Sequence, residues 1–550
     1  TVYKDMNGKK STENISQLAL ANVDYDMQNR HHVSYNFMMI HANTQSVGDY
    51  NGKNSIFSDD HENQGFTRRQ QTNDNLLIVN QLMTNWGLTK SISLDAGASY
   101  NIVKGYEPDR RINNQTKAEN GYTLLRGNSQ QRYFSALDEN DLNVRAGLVY
   151  RLKDNVEEIS SIRLGYTGRF VDDNFKATEY NLTVGHVSTI PSLDDFSLDD
   201  YYNQENLSSG WFEIQKNLDE YTVTKNIHSA YAEATYQFNP RWIVNLGVKY
   251  DKVDMEVDYN VNRGGSKGSN KIQKDYFLPS LNLKYNLNDK HSLRLGASKT
   301  YTLPQAKEIS PYRYVGVNFN SQGNPHLKPS DNYNLDLKWD FNPSPTELIS
   351  LTAFYKLIKN PISRIEVASA GGYLSYENIA DEATVAGVEV EIRKNLFVRP
   401  LGSAANGMNK LSFGLNGSYI YTNAKMPLAT VTTGSQLEGA APWIANFDLS
   451  HTFTKGERSF INTCVLNYVS DKIYTIGTQG YQDIMERGIV TLDFVSQAKL
   501  NKYLSLNLKA RNLLNPSYKL SRKANESGEK ITLGDYKKGI NISLGVSCTF

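Results

Sequence analysis

From Tyr333 to Phe341 every second residue is apolar: Tyr333, Leu335, Leu337, Trp339 and Phe341 interleave with Asn334, Asp336, Lys338 and Asp340. A helical period of 3.6 would scatter those charges among the apolar side chains, so the segment reads as a β-strand with one apolar and one polar face. The same sorting recurs at 142–150, 242–250, 349–357, 386–392, 411–421, 443–453 and 504–510. The pattern predicts an all-β chain from near its start to near its end.

Alternation by itself fits two architectures. In a soluble sandwich the apolar faces meet each other; in an outer-membrane β-barrel they meet lipid while the polar faces line a lumen. Three features favour the barrel. The windows are about ten residues long, the length of a tilted bilayer-spanning strand, and many finish in Tyr, Trp or Phe, as interfacial girdles require; the chain has 35 Tyr. Tight links such as Gln28-Asn29, Asn239-Pro240, Asn288-Asp289-Lys290 and Lys455-Gly456 alternate with long polar stretches at 47–73, 104–139, 176–219, 302–330, 423–437 and 515–538. Short periplasmic turns and long external loops have that rhythm. The chain also closes on an alternating segment, Ile542, Leu544, Val546, Cys548 and Phe550.

Composition removes other classes. Mean hydropathy is low and no apolar run approaches twenty residues, which excludes a helical membrane protein and leaves a barrel untouched. With 59 Lys and Arg against 58 Asp and Glu, no basic field exists to hold nucleic acid. Two cysteines, Cys464 and Cys548, form neither a disulfide framework nor a metal-binding spacing.

The count is about nineteen strands of a complete antiparallel transmembrane barrel of about twenty-two. The terminal strand must end in the periplasm. The first, near 15–27, runs the same way because a tight turn follows it, so an odd number is present. Residues 1–550 therefore read as the C-terminal majority of a barrel whose first strands precede Thr1. After Tyr250 the apolar set moves to Val253, Met255, Val257 and Tyr259, separated by Asp254, Glu256 and Asp258. That shift predicts a bulge near Asp251, with the charged stretch standing in water above the membrane.

Gly323-Asn324-Pro325-His326-Leu327-Lys328-Pro329-Ser330 resembles the loop motif G-N-P-x-L-K-P-E of TonB-dependent outer-membrane receptors, with Ser330 in place of Glu. The stretch from Thr352 through Pro361 to Asn378 and on to Gly387 and Glu389 is similar to a hairpin of that family. So are Arg511-Asn512-Leu513-Leu514-Asn515-Pro516 and the terminal Phe550. The Tyr- and Asn-rich loops resemble receptors of the Bacteroidota. The resemblance implies active import of a scarce or bulky nutrient through a plugged barrel in the cell outer membrane. It also implies coupling to TonB through an N-terminal plug and box that lie outside this chain.

No catalytic constellation is present: HExxH and the phosphate loop are missing, and the chain reads as a transporter without cofactor. Gly264-Gly265-Ser266-Lys267-Gly268-Ser269 joins two strands and reads as an ordinary loop. The pair His31-His32 sits beside a tight turn and is at best a weak metal candidate. The candidate ligand loop is Asp194, Asp195, Asp199, Asp200, Tyr201 and Tyr202 with Trp211, where carboxylates could take a hard cation and rings could stack on a flat ligand. It lacks the calcium-loop spacing, so a solvated loop is the simpler reading. Arg145, Arg163, Arg169, Glu389, Glu391 and Arg393 fall on polar faces and are expected to meet a plug. The rival readings are a barrel serving as a structural or assembly subunit of a larger envelope complex, a passive porin, and a secreted glycan-binding β protein. A surface lipoprotein lid is compatible with the family but demanded by nothing in the residues.

Overall fold

The computed structural model describes residues 4–27, 30–54, 65–119, 121–124, 127–152, 160–185, 189–190, 198, 200–262, 266–316, 318–367, 372–401, 407–426, 436–524 and 528–549. Over these residues the alternating segments pair in chain order into one antiparallel sheet of 21 strands. Two are short additions at one rim, Gly121–Leu124 and Thr189–Ile190. The other nineteen form a continuous meander from Lys4–Met27 to Asn541–Cys548, the number that the alternation gives. Among the described residues the first strand pairs only with His31–Asn54, and the last only with Leu504–Arg511.

The two rims differ in kind. At one, connections are tight and are closed by side chains that stand in for backbone acceptors. Asn239 Oδ1 accepts from the N–H groups of Arg241 and Trp242 at 2.9 and 3.1 Å. Asn288 does the same for Lys290 and His291, and Asn501 for Tyr503 and Leu504. Asn suits such turns because its amide reaches its own backbone two residues on. Both Met27 and Cys548 lie towards this rim, as the parity argument requires.

The sheet is strongly curved. Arg69, on the strand Gly65–Gly87, donates to the carbonyl of Val315 at 3.3 Å, which follows the strand His291–Thr302. Seven consecutive pairings separate those strands, or about 33 Å along a flat sheet. Only a wall that wraps round brings them together. On the other arc Arg522 pairs with Glu366 across a comparable stretch of wall.

The convex face is apolar. Leu246 and Leu337 are 54% and 51% exposed, and Leu142, Leu164, Leu335, Val388, Leu449 and Leu466 share that face in its middle. Aromatic rings flank this band: Trp242 stacked on Tyr285 near the tight turns, and Tyr250 and Phe277 paired eight residues higher. Eight residues span about 26 Å of strand, the height of the lipid-facing band of an outer-membrane barrel. The concave face is polar, with Arg145–Asp95 at 3.3 Å and Arg169–Asp141 at 2.9 Å. The apolar side faces outward, so the stacked-sheet alternative does not hold.

The expected bulge at Asp251 is absent. Both ladders of Trp242–Val261 run through Tyr250 and Asp251 without a shift in register. Even-numbered side chains point outward along the whole strand and odd-numbered ones inward; what changes is the chemistry. Above Tyr250 the outward positions become Lys252, Asp254, Glu256 and Asp258, while Val253, Met255 and Val257 on the inner face are almost fully buried. Outside, lipid has given way to water; inside, the wet lumen has given way to packed polypeptide. Each such buried side chain contributes about 1.5–3 kcal/mol.

The same inversion corrects the assignment of long loops at 47–73, 104–139 and 176–219. Much of that chain is strand: His31–Asn54, Gly65–Gly87, Ile92–Ala118, Gly127–Arg151, Ser161–Val184 and Phe212–Asn239 all continue far above the aromatic belt. The apolar faces of these extensions meet an inner core built around Tyr133, Tyr221, Val223, Met255, Val257, Ile309 and Tyr312.

Candidate functional site at the outer mouth

A strap of chain, residues 303–329, leaves the strand His291–Thr302 and folds inward over the mouth of the barrel. It begins with one helical turn, Ala306–Ile309, whose Glu308 carboxylate accepts from the Gln305 N–H at 2.9 Å. Arg313–Tyr314 and Asn320–Gln322 then join Tyr373–Asn378 and Ile362–Val367 in a small four-stranded sheet.

The motif residues anchor the strap's return. A Cβ on Gly323 would lie 2.0, 2.6 and 2.8 Å from the carbonyl oxygens of Ser310, Lys307 and Glu308, so the motif glycine is what lets the strap close on its own helical turn. Asn324 donates from its backbone to Glu308 O at 2.6 Å and from its amide to Tyr376 O at 2.9 Å. Pro325 O accepts from Asn270, and Leu327 is buried. Asn378 accepts from the Lys328 N–H and donates to the carbonyls of Lys328 and Asn360, all within 2.9 Å. Pro329, without an N–H, leads into the next strand, Ser330–Phe341.

The strap's tip meets the wall where one strand, Ile92–Ala118, carries an extra residue against both of its neighbours. Between Gln70 and Asp74, and between Glu107 and Arg110, the ladders shift. Pro108, within the second shift, has no N–H to give to a ladder. A bulge re-aims side chains, and here it turns both Glu107 and Arg110 inward while Asp109 pairs with Arg111 and Arg132 at 2.7 Å elsewhere. Arg110 is wholly buried, with its guanidinium 4.0 Å from the Tyr133 ring centre and 4.9 Å from that of Tyr314. The Tyr312 hydroxyl touches the Tyr133 hydroxyl. Arg68, adjacent to Arg69 on the strand and so on the opposite face, forms a two-pronged pair with Asp49 at 2.7 and 2.8 Å.

This cluster is electrostatically costly. Burial raises the Glu107 carboxyl above its ordinary range despite Arg110 and Arg69; burial and the nearby Arg110 lower Arg69. Burial pushes Tyr133 up to about 12 and holds Tyr312 well above a free phenol, so both are neutral hydroxyls. On the strap's other side Arg364 lies 4.0 Å from the Tyr474 ring and pairs with Glu438 at 2.9 Å. Lys307 sits over Tyr314, and Arg313 over Tyr373. Burial, reinforced by Arg364, lowers Lys307. The mouth is thus lined by cations interleaved with tyrosines, a surface for anionic, ring-bearing ligands.

Of the other sequence-derived residues, Gly387 lies under the Phe354 ring and against Tyr419 O, where a Cβ would come within 2.4–2.6 Å. Glu389 sits on the inner face of the same strand, and Glu391 pairs with Arg393 at 2.7 Å. Asn512 and Asn515 adopt φ of 59° and 43°, which Asn tolerates, and brace Gly539 by accepting from its N–H and donating to its carbonyl. Tyr201 and Tyr202 pack with Leu198, Phe212, Leu124 and Val184, Asp200 is exposed, and Trp211 is 39% exposed. Asp194, Asp195, Asp199, Gly264, Gly265 and Phe550 lie outside the described residues. His31 stacks on Trp86 at 4.1 Å, whereas His32 contacts Asp26 at 2.8 Å; adjacent residues of a strand face opposite ways, so the two cannot share an ion. Among the described residues no group of three or more His, Cys, Asp or Glu is arranged to hold a metal.

Residues 167–513 match the family described as TonB dependent receptor-like, beta-barrel. The chain belongs to the TonB-dependent receptors. Like them it is a protein of the outer membrane, and the match covers the meander from within Ser161–Val184 to Leu504–Arg511, with the strap and its anchoring motif. A curated relative, the iron-regulated outer membrane virulence protein of Vibrio cholerae serotype O1 (strain El Tor Inaba N16961), is 24% identical over 269 residues, 47% of this chain and 38% of that protein. The chain therefore aligns with well under half the length of that receptor. Among solved structures it resembles the siderophore receptor PiuA from Acinetobacter baumannii (TM-score 0.55, 12% identity, covering 100% of this chain and 82% of that one). It resembles the copper transporter OprC similarly (TM-score 0.56, 12% identity, 100% and 81%). At such identities these receptors share the fold.

Arg110 was beyond the reach of alternation, because the bulge that aims it inward breaks the period that assigns faces, and Arg69 fell in the stretch 47–73 that reads as a loop. The doublets Arg68-Arg69 and Arg110-Arg111, the latter just after Pro108, were the available signal.

Proposed function

We propose that the full-length protein is an energised outer-membrane importer whose cargo is an anionic metal chelate of the siderophore type, taken up without covalent change. The observation that carries this reading is the cationic, tyrosine-rich mouth formed by Arg69, Arg110 and Arg364 around the strap and by Lys307 and Arg313 on the strap, which the motif residues hold. The relatives supply the metal: an iron-regulated virulence protein, a siderophore receptor and a copper transporter. In this reading an N-terminal plug fills the lumen, meeting wall charges such as Arg145, Arg169 and Arg393. Strands preceding Thr1 complete the barrel between its two free edges, and a TonB box couples the plug to the inner-membrane motor.

The test is accumulation of radiolabelled iron, offered as anionic chelates, by cells expressing the full-length gene with and without TonB. Uptake that requires both supports the reading. Steady ion conductance by the purified protein in planar bilayers, with accumulation indifferent to TonB, would identify a porin instead.

A further inference from the structure

We propose that Arg110, together with Arg69, forms a concealed oxyanion subsite that the strap's Tyr312 keeps shut until ligand arrives. Arg110 is wholly buried, yet among the described residues its Nε and Nη2 donate to no acceptor. Among the described residues its one counter-charge, Glu107, reaches only Nη1, at a long 3.5 Å. The second guanidinium, Arg69, also enters the cluster, with Gln71, the Tyr314 hydroxyl and the Val315 carbonyl as its hydrogen-bond partners. Two cations thus share one carboxylate whose charge burial already opposes.

A protein interior does not hold uncompensated charge and orphaned guanidinium donors without cost. A fork of two free N–H groups matches a carboxylate, phenolate or phosphate oxygen pair. In the closed state tyrosine occupies this space: Tyr133 and Tyr314 cover the guanidinium faces, and the Tyr312 hydroxyl closes on Tyr133. These rings satisfy the cation's faces while leaving its N–H edge empty. An anionic arm that displaces Tyr312 would supply the missing acceptors, so binding and lifting of the strap become one event. The bulge makes such a site, since without it Arg110 would point to the opposite face from Glu107.

The inference deepens the uptake reading but is measured without it. Full-length protein folded in detergent is titrated calorimetrically with citrate, benzoate and inorganic phosphate, which require neither metal nor motor. Wild type is expected to bind at least one of these weakly, Tyr312→Ala about tenfold more tightly, and Tyr312→Ala/Arg110→Gln not measurably. Tyr312→Ala/Arg111→Gln is expected to match Tyr312→Ala, because Arg111 is engaged by Asp109 outside the cluster. Should Tyr312→Ala fail to fold, as judged by loss of heat-modifiable migration, Gly323→Ala releases the strap from its other end and replaces it in the series. Binding that survives removal of Arg110, or a released strap that takes up none of the three anions, overturns the proposal. Anion binding without any cellular uptake would leave the site standing and refute the import reading alone.

Discussion

Asn378 grips Lys328 from both sides of its peptide plane, accepting from the N–H at 2.8 Å and donating to the carbonyl at 2.9 Å. One side chain thus does for the motif what a neighbouring strand would do, and the strap's C-terminal end is fixed to the hairpin that follows it. Replacing Asn378 with Ala removes these bonds and the one to Asn360. The expected cost is about 1–3 kcal/mol of local stability, read as faster amide exchange and proteolysis across 303–329 with the barrel's heat-modifiable migration intact.

Gly323→Ala should release the strap more completely. The added methyl meets three backbone oxygens at 2.0–2.8 Å, and backbone cannot rotate aside. Gly417→Ala is the matched control, since a Cβ there meets nothing within 4 Å. Proteolysis of folded protein should cut the first variant within the strap at least tenfold faster than wild type and leave the second unchanged.

Adjacent residues at mid-membrane should respond oppositely to the same substitution. Leu337 faces outward between the flanking rings of Tyr333 and Phe341, and Asp336 faces inward. Leu337→Arg is expected to cost about 2–4 kcal/mol and Asp336→Arg under about 1 kcal/mol, measured by denaturant titration from lipid vesicles.

Much of this architecture was legible in the residues. Tyr333–Phe341 or Trp242–Tyr250 determines its own faces because lipid tolerates so little polarity on one side. The family motif singled out Gly323 to Pro329, but nothing in those residues said that they hold a strap. Legibility failed where the environment, and not the period, changed. At Asp251 the apolar residues changed parity while the strand continued straight, and a pattern cannot distinguish that from a bulge. At Glu107–Arg110 a true bulge occurred, and there the pattern was silent about which way Arg110 turns. The site is built from long-range approach, Tyr133 to Tyr312 and Arg69 to Val315, and no local signal reports such contacts.

The strap's seat should also depend on pH. Asp173 lies on the inner face above the aromatic belt, opposite Glu139 in the ladder and two residues from Phe175, which stacks on Tyr221 at 4.8 Å and abuts Tyr312 at 4.9 Å. Burial, with help from Glu139 and Asp172 and against Lys225, raises its carboxyl to about 7 from an ordinary 3.8. The folded state therefore binds the proton more tightly than the unfolded chain. Stability contributed by the neutral acid is fully present below about pH 4 and lost as pH rises to and through about 7. Amide exchange in 306–315 should accelerate between pH 5 and 8 in wild type, and that difference should shrink in Asp173→Asn.

The central claim is that one uninterrupted strand serves two environments by exchanging the chemistry of its faces at Asp251. Single spin labels along Trp242–Val261, in protein with Cys464 and Cys548 replaced by Ser and reconstituted in lipid, test it directly. Labels at 244, 246 and 248 should be reached by oxygen dissolved in the bilayer; those at 252, 254 and 256 by a water-soluble nickel chelate; those at 253, 255 and 257 by neither. Oxygen contact at 253, 255 and 257, or a change of parity across Asp251, would contradict the account.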